Sequence, residues 1–202
     1  MNRYDIIQEL INKYNYSHYL EIGVEGGETF RRIQCNIKYG VDPAGSPVPV
    51  NDPNKFFHCT SDQFFQHRPN YENLKLDLVF VDGLHQKEQA LRDIENALHY
   101  LTPEGTIVVH DCLPRSEAEQ VHEVQYGVPW MGDVWKAFAE LRMTRTDLSM
   151  SVVDTDCGCG IIRFGKQDLF PRIDNLDWPI FQNSRNELLN VISIEQFKGL
   201  YL

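Results

Sequence analysis

Short apolar runs and stretches of helical spacing alternate along the first 111 residues of the chain. The apolar runs predict five β-strands, over 18–23, 37–42, 56–59, 76–82 and 106–111. Apolar positions three or four residues apart predict helices over 3–15, 28–34 and 86–101, and the polar residues 102–105 predict a turn before the fifth strand. Strands that alternate with helices in this way predict a parallel sheet with helices on both faces.

The second half of the chain is less regular. The pattern loosens over 112–131, and a helix is predicted over 132–143. Two strand-like runs, 148–155 and 160–164, are separated by hairpin spacing, so the sheet is expected to finish with an antiparallel pair. The tail 184–202 predicts a further helix, whose apolar side chains pack against the sheet or a second subunit. The sequence leaves both options open, and with them a homo-oligomer.

No linker or repeat interrupts the pattern, so the whole chain, 1–202, is interpreted as one domain. It has three parts: an N-terminal helix over 1–16, a core over 17–165 and a C-terminal helical tail over 166–202. A length of 202 residues is ample for one buried core.

Charge and composition exclude several classes of function. The chain carries 19 basic and 29 acidic side chains, a net charge of −10, which opposes binding to nucleic acid or to an anionic membrane. No apolar run approaches the roughly 20 residues that span a bilayer, and the N-terminus lacks a signal-peptide pattern. Five scattered cysteines, an odd number, favour reduced thiols and a cytoplasmic location.

Polar or glycine residues stand at the carboxyl ends of four predicted strands. They are Glu21 with Gly23, Asp42, Asp82, and His110 with Asp111. Because ligands of open α/β sheets bind at that edge, these positions predict a binding pocket.

The first of these strand ends continues into a glycine-rich turn with Gly23, Gly26 and Gly27. The turn resembles the dinucleotide fingerprint, except that Glu25 replaces the glycine that makes room for a pyrophosphate. A carboxylate there favours a nucleoside ligand without phosphates. Asp42, 19 residues after Gly23, is placed to accept hydrogen bonds from ribose hydroxyls. The alternative is that the glycines only turn the chain and Asp42 caps a loop.

Taken together, the successive motifs resemble those of class I S-adenosylmethionine-dependent methyltransferases. The likeness is greatest to a small bacterial subgroup found among sugar and antibiotic O-methyltransferases. It covers about 17–165 and rests on the segments 19–29, 41–43, 77–85, 105–111 and the hairpin 153–162.

The resemblance implies a Rossmann-like methyltransferase fold with a seven-stranded, mostly parallel sheet and an antiparallel last strand. It implies S-adenosylmethionine as the cofactor and a small-molecule acceptor, most simply a hydroxyl. Glu21, Gly23 and Gly26 would hold the methionine portion and Asp42 the ribose. The implied cofactor-binding set is completed by Ser61 and Asp62 at the adenine edge and by Asp82.

Asp82 and Asp111 end strands that should be neighbours in the sheet. Two carboxylates at close range repel each other unless they share a proton or a cation. Oxygen ligands suit Mg²⁺ or another divalent cation, which would hold a substrate hydroxyl and lower its pKa. His110 stands where some similar methyltransferases carry a second acid. The alternative is that Asp82 orients a loop and Asp111 caps a turn.

His85, three residues after Asp82, is the candidate general base, because the ordinary pKa of imidazole lies near neutrality. Asp82 and His85 are therefore the predicted catalytic residues, with a metal ligand or a plain helix-start residue as the alternatives for His85. The remaining histidines, at positions 18, 58, 67, 99 and 122, are expected to be structural. Cys157 and Cys159 are interpreted as hairpin residues, since no second pair stands at zinc-finger spacing.

Two other functions remain as alternatives. An NAD-dependent oxidoreductase would share the sheet, but Glu25 opposes it. A non-catalytic S-adenosylmethionine-binding or scaffold protein would keep the fold without the reaction, because a fold alone does not establish function.

Overall fold

The computed structural model describes residues 1–44, 55–66 and 74–202, and His67 lies outside them. Within these residues, eight strands form one sheet in the order β3-β2-β1-β4-β5-β7-β6-β8. Their bounds are β1 His18–Ile22, β2 Ile37–Val41, β3 Lys55–Phe57, β4 Leu76–Val81, β5 Leu101–Val109, β6 Leu148–Val153, β7 Cys159–Phe164 and β8 Val191–Ile192. Only β7 runs antiparallel to its neighbours, β5 and β6. The predicted Rossmann-like fold with its antiparallel seventh strand is confirmed.

In the described residues, seven α-helices cover the two faces of the sheet. They are α1 Arg3–Tyr14, α2 Glu28–Arg32, α3 Ser61–Gln66, α4 Lys87–Tyr100, α5 Val134–Thr144, α6 Trp178–Leu188 and α7 Ile194–Tyr201, with a short 3₁₀ helix at Glu117–Gln120. Side chains alternate along each strand, so Leu78 and Phe80 of β4 pack with α1, α2 and α7. Val79 and Val81 pack with α3, α4, α5 and α6 on the other face.

The predicted turn at 102–105 is wrong, because these residues lie inside β5. Leu76 of β4 pairs with Leu101, whereas Leu78 pairs with Thr106, so β5 carries extra residues at this point. The irregularity is a bulge within one strand, which keeps pairing with β4 on both sides of it.

The tail over 184–202, predicted to be helical, contains the end of one helix and the whole of another, with a short strand between them. The chain leaves α6 through Asn190 in the left-handed conformation (φ 50°), pairs briefly as β8 with β6, and begins α7 at a capping box on Ser193. This short strand makes the sheet eight-stranded rather than seven-stranded. Leu188, Leu189 and Phe197 are fully buried in this chain's own core, so the tail packs against the sheet.

No helix in the described part of the chain is both long and apolar enough to cross a membrane.

Candidate functional site

A cavity of about 1000 Å³ opens at the carboxyl ends of the central parallel strands. Eight of the sequence-predicted site residues line it: Glu21, Gly23, Gly26, Asp42, Ser61, Asp82, His85 and Asp111. We call the part formed by Glu21, Gly23, Gly26 and Asp42 the glycine end. We call the part formed by Asp82, His85, His110 and Asp111, together with Asp156 beside His110, the histidine end.

Gly23 joins β1 to the glycine turn at a point of very close backbone approach. It has a φ of 85°, and a Cβ there would lie 1.9 Å from the carbonyl oxygen of Asp82. Two backbone hydrogen bonds of 2.9 Å join the strand ends: the Gly23 N–H donates to the Val41 carbonyl, and the Asp82 N–H donates to the Ile22 carbonyl. Only glycine fits this position, so its role is structural as well as ligand-facing. A Cβ on Gly26, by contrast, would meet no atom within 4 Å.

The two carboxyl groups of the glycine end differ in environment. Glu21 is almost fully buried and accepts a 2.6 Å hydrogen bond from the Tyr19 hydroxyl. Burial raises the pKa of Glu21 to about 8, so the group is largely protonated at neutral pH. Asp42 accepts hydrogen bonds from the backbone N–H groups of Glu25 and Ala44, both 2.7 Å. Asp42 therefore caps the loop, as the alternative interpretation of the sequence predicted, and its carboxylate also borders the cavity.

Ser61 and Asp62, the predicted adenine-edge pair, separate in the structure. Ser61 lines the cavity, whereas Asp62 is not among the lining residues and contacts the side chains of Gln89 and Arg92. Thr60 caps α3, and its hydroxyl accepts from the Gln63 N–H at 3.2 Å.

At the histidine end, Asp82, His85 and Asp111 bring ligand atoms within 4.8 Å of one another. His85 Nε2 lies 3.4 Å from Asp82 Oδ1 and 3.3 Å from Asp111 Oδ2. His85 Nδ1 lies 3.0 Å from the carbonyl oxygen of Trp130, which can only accept, so Nδ1 carries the proton. The ring is thereby fixed with Nε2 directed at the two carboxylates.

His110 lies between the same carboxylates and a third one. Its Nδ1 is 3.3 Å from both Asp82 and Asp111, and its Nε2 is 3.8 Å from Asp156. Burial alone would lower the pKa of His110, but the surrounding carboxylates of Asp111, Asp156 and Asp82 raise it well above its usual range. Burial would raise the pKa of Asp82, but hydrogen bonds from His110 and His85 hold it well below its usual range. The carboxylate pair is therefore neutralised in part by His110.

Sequence reasoning missed two members of this arrangement. Arg3, at the start of α1, lies 3.1 Å from Asp156 and 3.5 Å from His110 Nε2. Asp156 lies in the turn between β6 and β7, where a polar residue is unremarkable. Nothing in the sequence pairs these positions, because they are 153 residues apart.

The segment after the irregular stretch holds the His85 loop in place. A Cβ on Gly132 would lie 1.6 Å from the His85 carbonyl oxygen, and the Asp133 N–H donates to that oxygen at 3.1 Å. Asp133 Oδ1 accepts from the backbone N–H of Lys87 at 2.7 Å, at the start of α4. Trp130 itself lines the cavity, with its ring 5.2 Å from that of His85.

The donor set fits a divalent cation. In the described part of the chain, one group of three or more histidine, cysteine, aspartate or glutamate side chains is arranged to hold a metal ion, and it consists of Asp82, His85 and Asp111. They offer two carboxylate oxygens and the Nε2 atom of the His85 imidazole. The other ring nitrogen, Nδ1, donates to the Trp130 carbonyl, which is the usual support of a metal-bound histidine. Cys157 and Cys159 are free thiols outside this group, consistent with their interpretation as hairpin residues.

The chain is similar to known methyltransferases. A family model described as a methyltransferase domain matches residues 20–112. No curated protein matches the chain by sequence.

Several solved structures share the fold. The O-methyltransferase of Bacillus cereus in complex with S-adenosylhomocysteine is 15% identical, with 81% of this chain and 80% of that chain covered and a TM-score of 0.60. The O-methyltransferase TomG of Streptomyces achromogenes, in complex with S-adenosylmethionine, is 16% identical over 80% of this chain and 79% of that chain, with a TM-score of 0.61. The S-adenosylhomocysteine-bound methyltransferase of Podospora anserina is 16% identical, covers 81% and 78%, and has a TM-score of 0.56. The resemblance to methyltransferases predicted from the motifs is confirmed.

Proposed function

We propose that this methyltransferase-domain protein transfers the methyl group of S-adenosylmethionine to a hydroxyl of a small-molecule acceptor. One observation carries the proposal: a single cavity of about 1000 Å³ joins the glycine end to the histidine end. The first end suits the cofactor and the second suits the reacting hydroxyl. The O-methyltransferases of the same fold that bind S-adenosylmethionine or S-adenosylhomocysteine support this assignment.

The charge of the cavity agrees with such a cofactor. Glu25 and Glu28 border it beside the glycine turn, together with Asp42. S-adenosylmethionine carries a sulfonium cation and no phosphate, so carboxylates attract it rather than repel it. The pyrophosphate of NAD would meet the same carboxylates unfavourably, which disfavours the oxidoreductase alternative.

The reaction is an in-line displacement. The acceptor oxygen forms a bond to the methyl carbon while the bond from that carbon to sulfur breaks, leaving S-adenosylhomocysteine. The proton of the acceptor hydroxyl passes to Nε2 of the neutral form of His85, whose Nδ1 already carries the proton donated to Trp130. Burial alone would lower the pKa of His85, but Asp82 and Asp111 beside Nε2 raise it, which makes His85 a stronger proton acceptor. The remaining contribution of the chain is alignment of acceptor and methyl group.

Asp82, Asp111 and His85 would hold a divalent cation such as Mg²⁺ at the same place. When bound, the cation would supply a positive charge that lowers the pKa of an acceptor hydroxyl. His85 Nε2 offers one lone pair, so it serves either as a metal ligand or as the proton acceptor. A chelation experiment separates the two roles.

Calorimetric titration of the purified protein with S-adenosylhomocysteine tests the cofactor, with NAD as the comparison ligand. Micromolar binding of S-adenosylhomocysteine without binding of NAD is expected. Absence of S-adenosylhomocysteine binding would refute the proposal.

Turnover with a panel of small hydroxyl compounds, measured with and without EDTA, then tests the metal. If Asp82, His85 and Asp111 hold a required cation, EDTA abolishes methyl transfer and leaves the S-adenosylhomocysteine affinity nearly unchanged. Turnover that is insensitive to EDTA would reject the metal and assign the proton to His85 alone.

A further inference from the structure

Asp133 stands at the N-cap position of α5, but its side chain serves another helix. An aspartate at an N-cap ordinarily accepts a hydrogen bond from the first turn of its own helix. Within the described residues, the Asp133 side chain makes no such bond to α5. Its Oδ1 accepts instead from the backbone N–H of Lys87, the first residue of α4, at 2.7 Å. Asp133 is 6% exposed, so this contact is buried.

The start of α4 takes its cap from this distant residue. Gln86 occupies the N-cap position of α4, and in the described structure its side chain does not cap the helix. A carboxylate beside the first turn satisfies a free N–H group and lies at the positive end of the helix dipole. Asp133 provides it from 46 residues further along the chain. The side-chain cap of α5 is thus given up in favour of α4.

The bond to Lys87 is one of three that join the segment 130–133 to the segment 85–87. The Asp133 N–H donates to the His85 carbonyl at 3.1 Å, and His85 Nδ1 donates to the Trp130 carbonyl at 3.0 Å. Gly132 fills the space between the segments, since a Cβ there would lie 1.6 Å from the His85 carbonyl oxygen. Asp133 therefore holds the backbone on both sides of Gln86, at the His85 carbonyl and at the Lys87 N–H.

The position of the Trp130 carbonyl determines the direction of the His85 ring. With Nδ1 bonded to that oxygen, Nε2 is directed at Asp82 and Asp111. Both roles of Nε2, as proton acceptor and as metal ligand, require this orientation. Because the support is a backbone carbonyl, its accuracy depends on how firmly the segment 130–133 is attached to the His85 loop.

We infer that Asp133 is a positioning residue: by capping α4 it holds the Trp130 carbonyl against His85 Nδ1 and keeps Nε2 directed into the cavity. Asp133 is not among the described residues that line the cavity, so it acts through Trp130 and His85. This inference rests on the proposed function, in which Nε2 acts on the acceptor hydroxyl.

The first test observes the His85 ring by NMR in protein that contains isotope-labelled histidine, without ligand or metal. The Nδ1–H signal, assigned by its loss in His85→Gln, should be protected from exchange with water in wild-type protein. Asp133→Ala removes the bond from Lys87 and should accelerate the exchange about tenfold, the equivalent of one hydrogen bond. Asp133→Asn keeps an oxygen that can accept from Lys87 and should stay within about threefold of wild type.

Lys136→Gln is the matched control. It removes the charge that lies 3.7 Å from Asp133 Oδ2 and leaves the bond from Lys87 to Oδ1 in place, so the exchange should not change. If Asp133→Ala does not fold, Asp133→Ser takes its place, because the serine oxygen is one bond closer to the backbone and falls short of the Lys87 N–H. Unchanged exchange in the folded alanine or serine variant would overturn the inference. Equal acceleration in Asp133→Asn or Lys136→Gln would also overturn it.

Turnover with the acceptor that the panel identifies provides a second readout. Asp133→Ala should lower kcat about tenfold, with S-adenosylhomocysteine affinity within about threefold of wild type, and Asp133→Asn should recover most of kcat. A parallel loss of cofactor affinity would indicate a purely structural role and contradict the inference.

The two measurements also separate this inference from the proposed function, because the exchange experiment needs no cofactor. If the protein binds no S-adenosylhomocysteine while Asp133→Ala still loses the protection of the His85 ring, only the proposed function fails. If it binds S-adenosylhomocysteine and the protection is unaffected by Asp133→Ala, only the positioning role fails.

Discussion

The glycine end and the histidine end border one cavity, but they are held together in different ways. At the glycine end, backbone groups make the key contacts, within the glycine turn and between neighbouring strands, as in the 2.7 Å bond from the Glu25 N–H to the Asp42 carboxylate and the close approach of Gly23 to the Asp82 carbonyl. At the histidine end, charged side chains meet from distant parts of the chain, and Arg3 reaches Asp156 across 153 residues. A short motif can encode the first arrangement, whereas only the folded sheet creates the second.

The difference also divides the expected consequences of mutation. Changes at the glycine end should act on cofactor affinity and stability, because the backbone itself forms the site there. Changes at the histidine end should act on the chemical step, because the cavity wall there is built from reactive side chains. Three experiments test this division.

The largest effect is expected from Gly23→Ala. The new Cβ would lie 1.9 Å from the Asp82 carbonyl oxygen, so the ends of β1 and β4 must separate. We expect a loss of about 3 kcal/mol in the free energy of unfolding and at least about a hundredfold loss of S-adenosylhomocysteine affinity. Urea denaturation and calorimetry measure the two quantities.

Gly127→Ala is the control for Gly23→Ala. Gly127 has a similar φ of 78°, but a Cβ there would meet no atom within 4 Å. It isolates the conformational strain and should cost only about 1 kcal/mol, without loss of affinity. Equal losses in both variants would show that the close approach to Asp82 has no special effect.

The next largest effect is expected from His85→Ala. Removing the proton acceptor, or a metal ligand, should lower kcat about a hundredfold or more for whichever hydroxyl acceptor the panel identifies. The S-adenosylhomocysteine affinity should stay within about threefold of wild type, since cofactor binding belongs to the other end. A parallel loss of cofactor affinity would contradict the division between the two ends.

The smallest effect is on the pH dependence of stability, and it has opposite sign at the two ends. The pKa of Glu21 is raised from 4.5 to about 8, so the native state holds this proton more tightly. The contribution of Glu21 to the free energy of unfolding is therefore fully present below about pH 4.5 and is lost as the pH rises through 8. Glu21→Gln should flatten that loss by about 1 kcal/mol or more between pH 5 and pH 8.

Asp156 should behave in the opposite way. The nearby His110 imidazole, 3.8 Å away, and the Arg3 guanidinium hold the pKa of Asp156 well below the usual 3.8. Its contribution is present above pH 3.8 and is lost as the pH falls below that value. Asp156→Asn should therefore reduce acid sensitivity while leaving the alkaline side unchanged, as measured by urea denaturation at pH 3, 5 and 8. The same sign for both variants would refute the contrast.

Much of the fold could be predicted from the sequence. Apolar periodicity located the strands and most helices of the first 111 residues, because a strand buried on both faces must be apolar throughout. It failed at 102–105 and in the tail. A bulge inside β5 has the same polar composition as a turn, and β8 is only two residues long.

The candidate site was predicted in part, for a related reason. Asp82 and Asp111 could be paired from the sequence, because carboxyl ends of neighbouring parallel strands meet at one edge. The hydrogen bond from Gln89 to Ser61 could not be predicted, since the Gln89 amide reaches Ser61 only because α3 and α4 pack side by side.

The sequence by itself determined the alternation of strands and helices, the acidic glycine turn and the carboxylates at the strand ends. These follow from local rules of spacing and burial, which act within one element or between consecutive ones. Only the tertiary structure decided that Arg3, His110 and Asp156 form one charge cluster and that Trp130 fixes the ring of His85. The reason is that the partner of a polar side chain depends on which distant elements meet around it, and that is settled when the apolar faces pack.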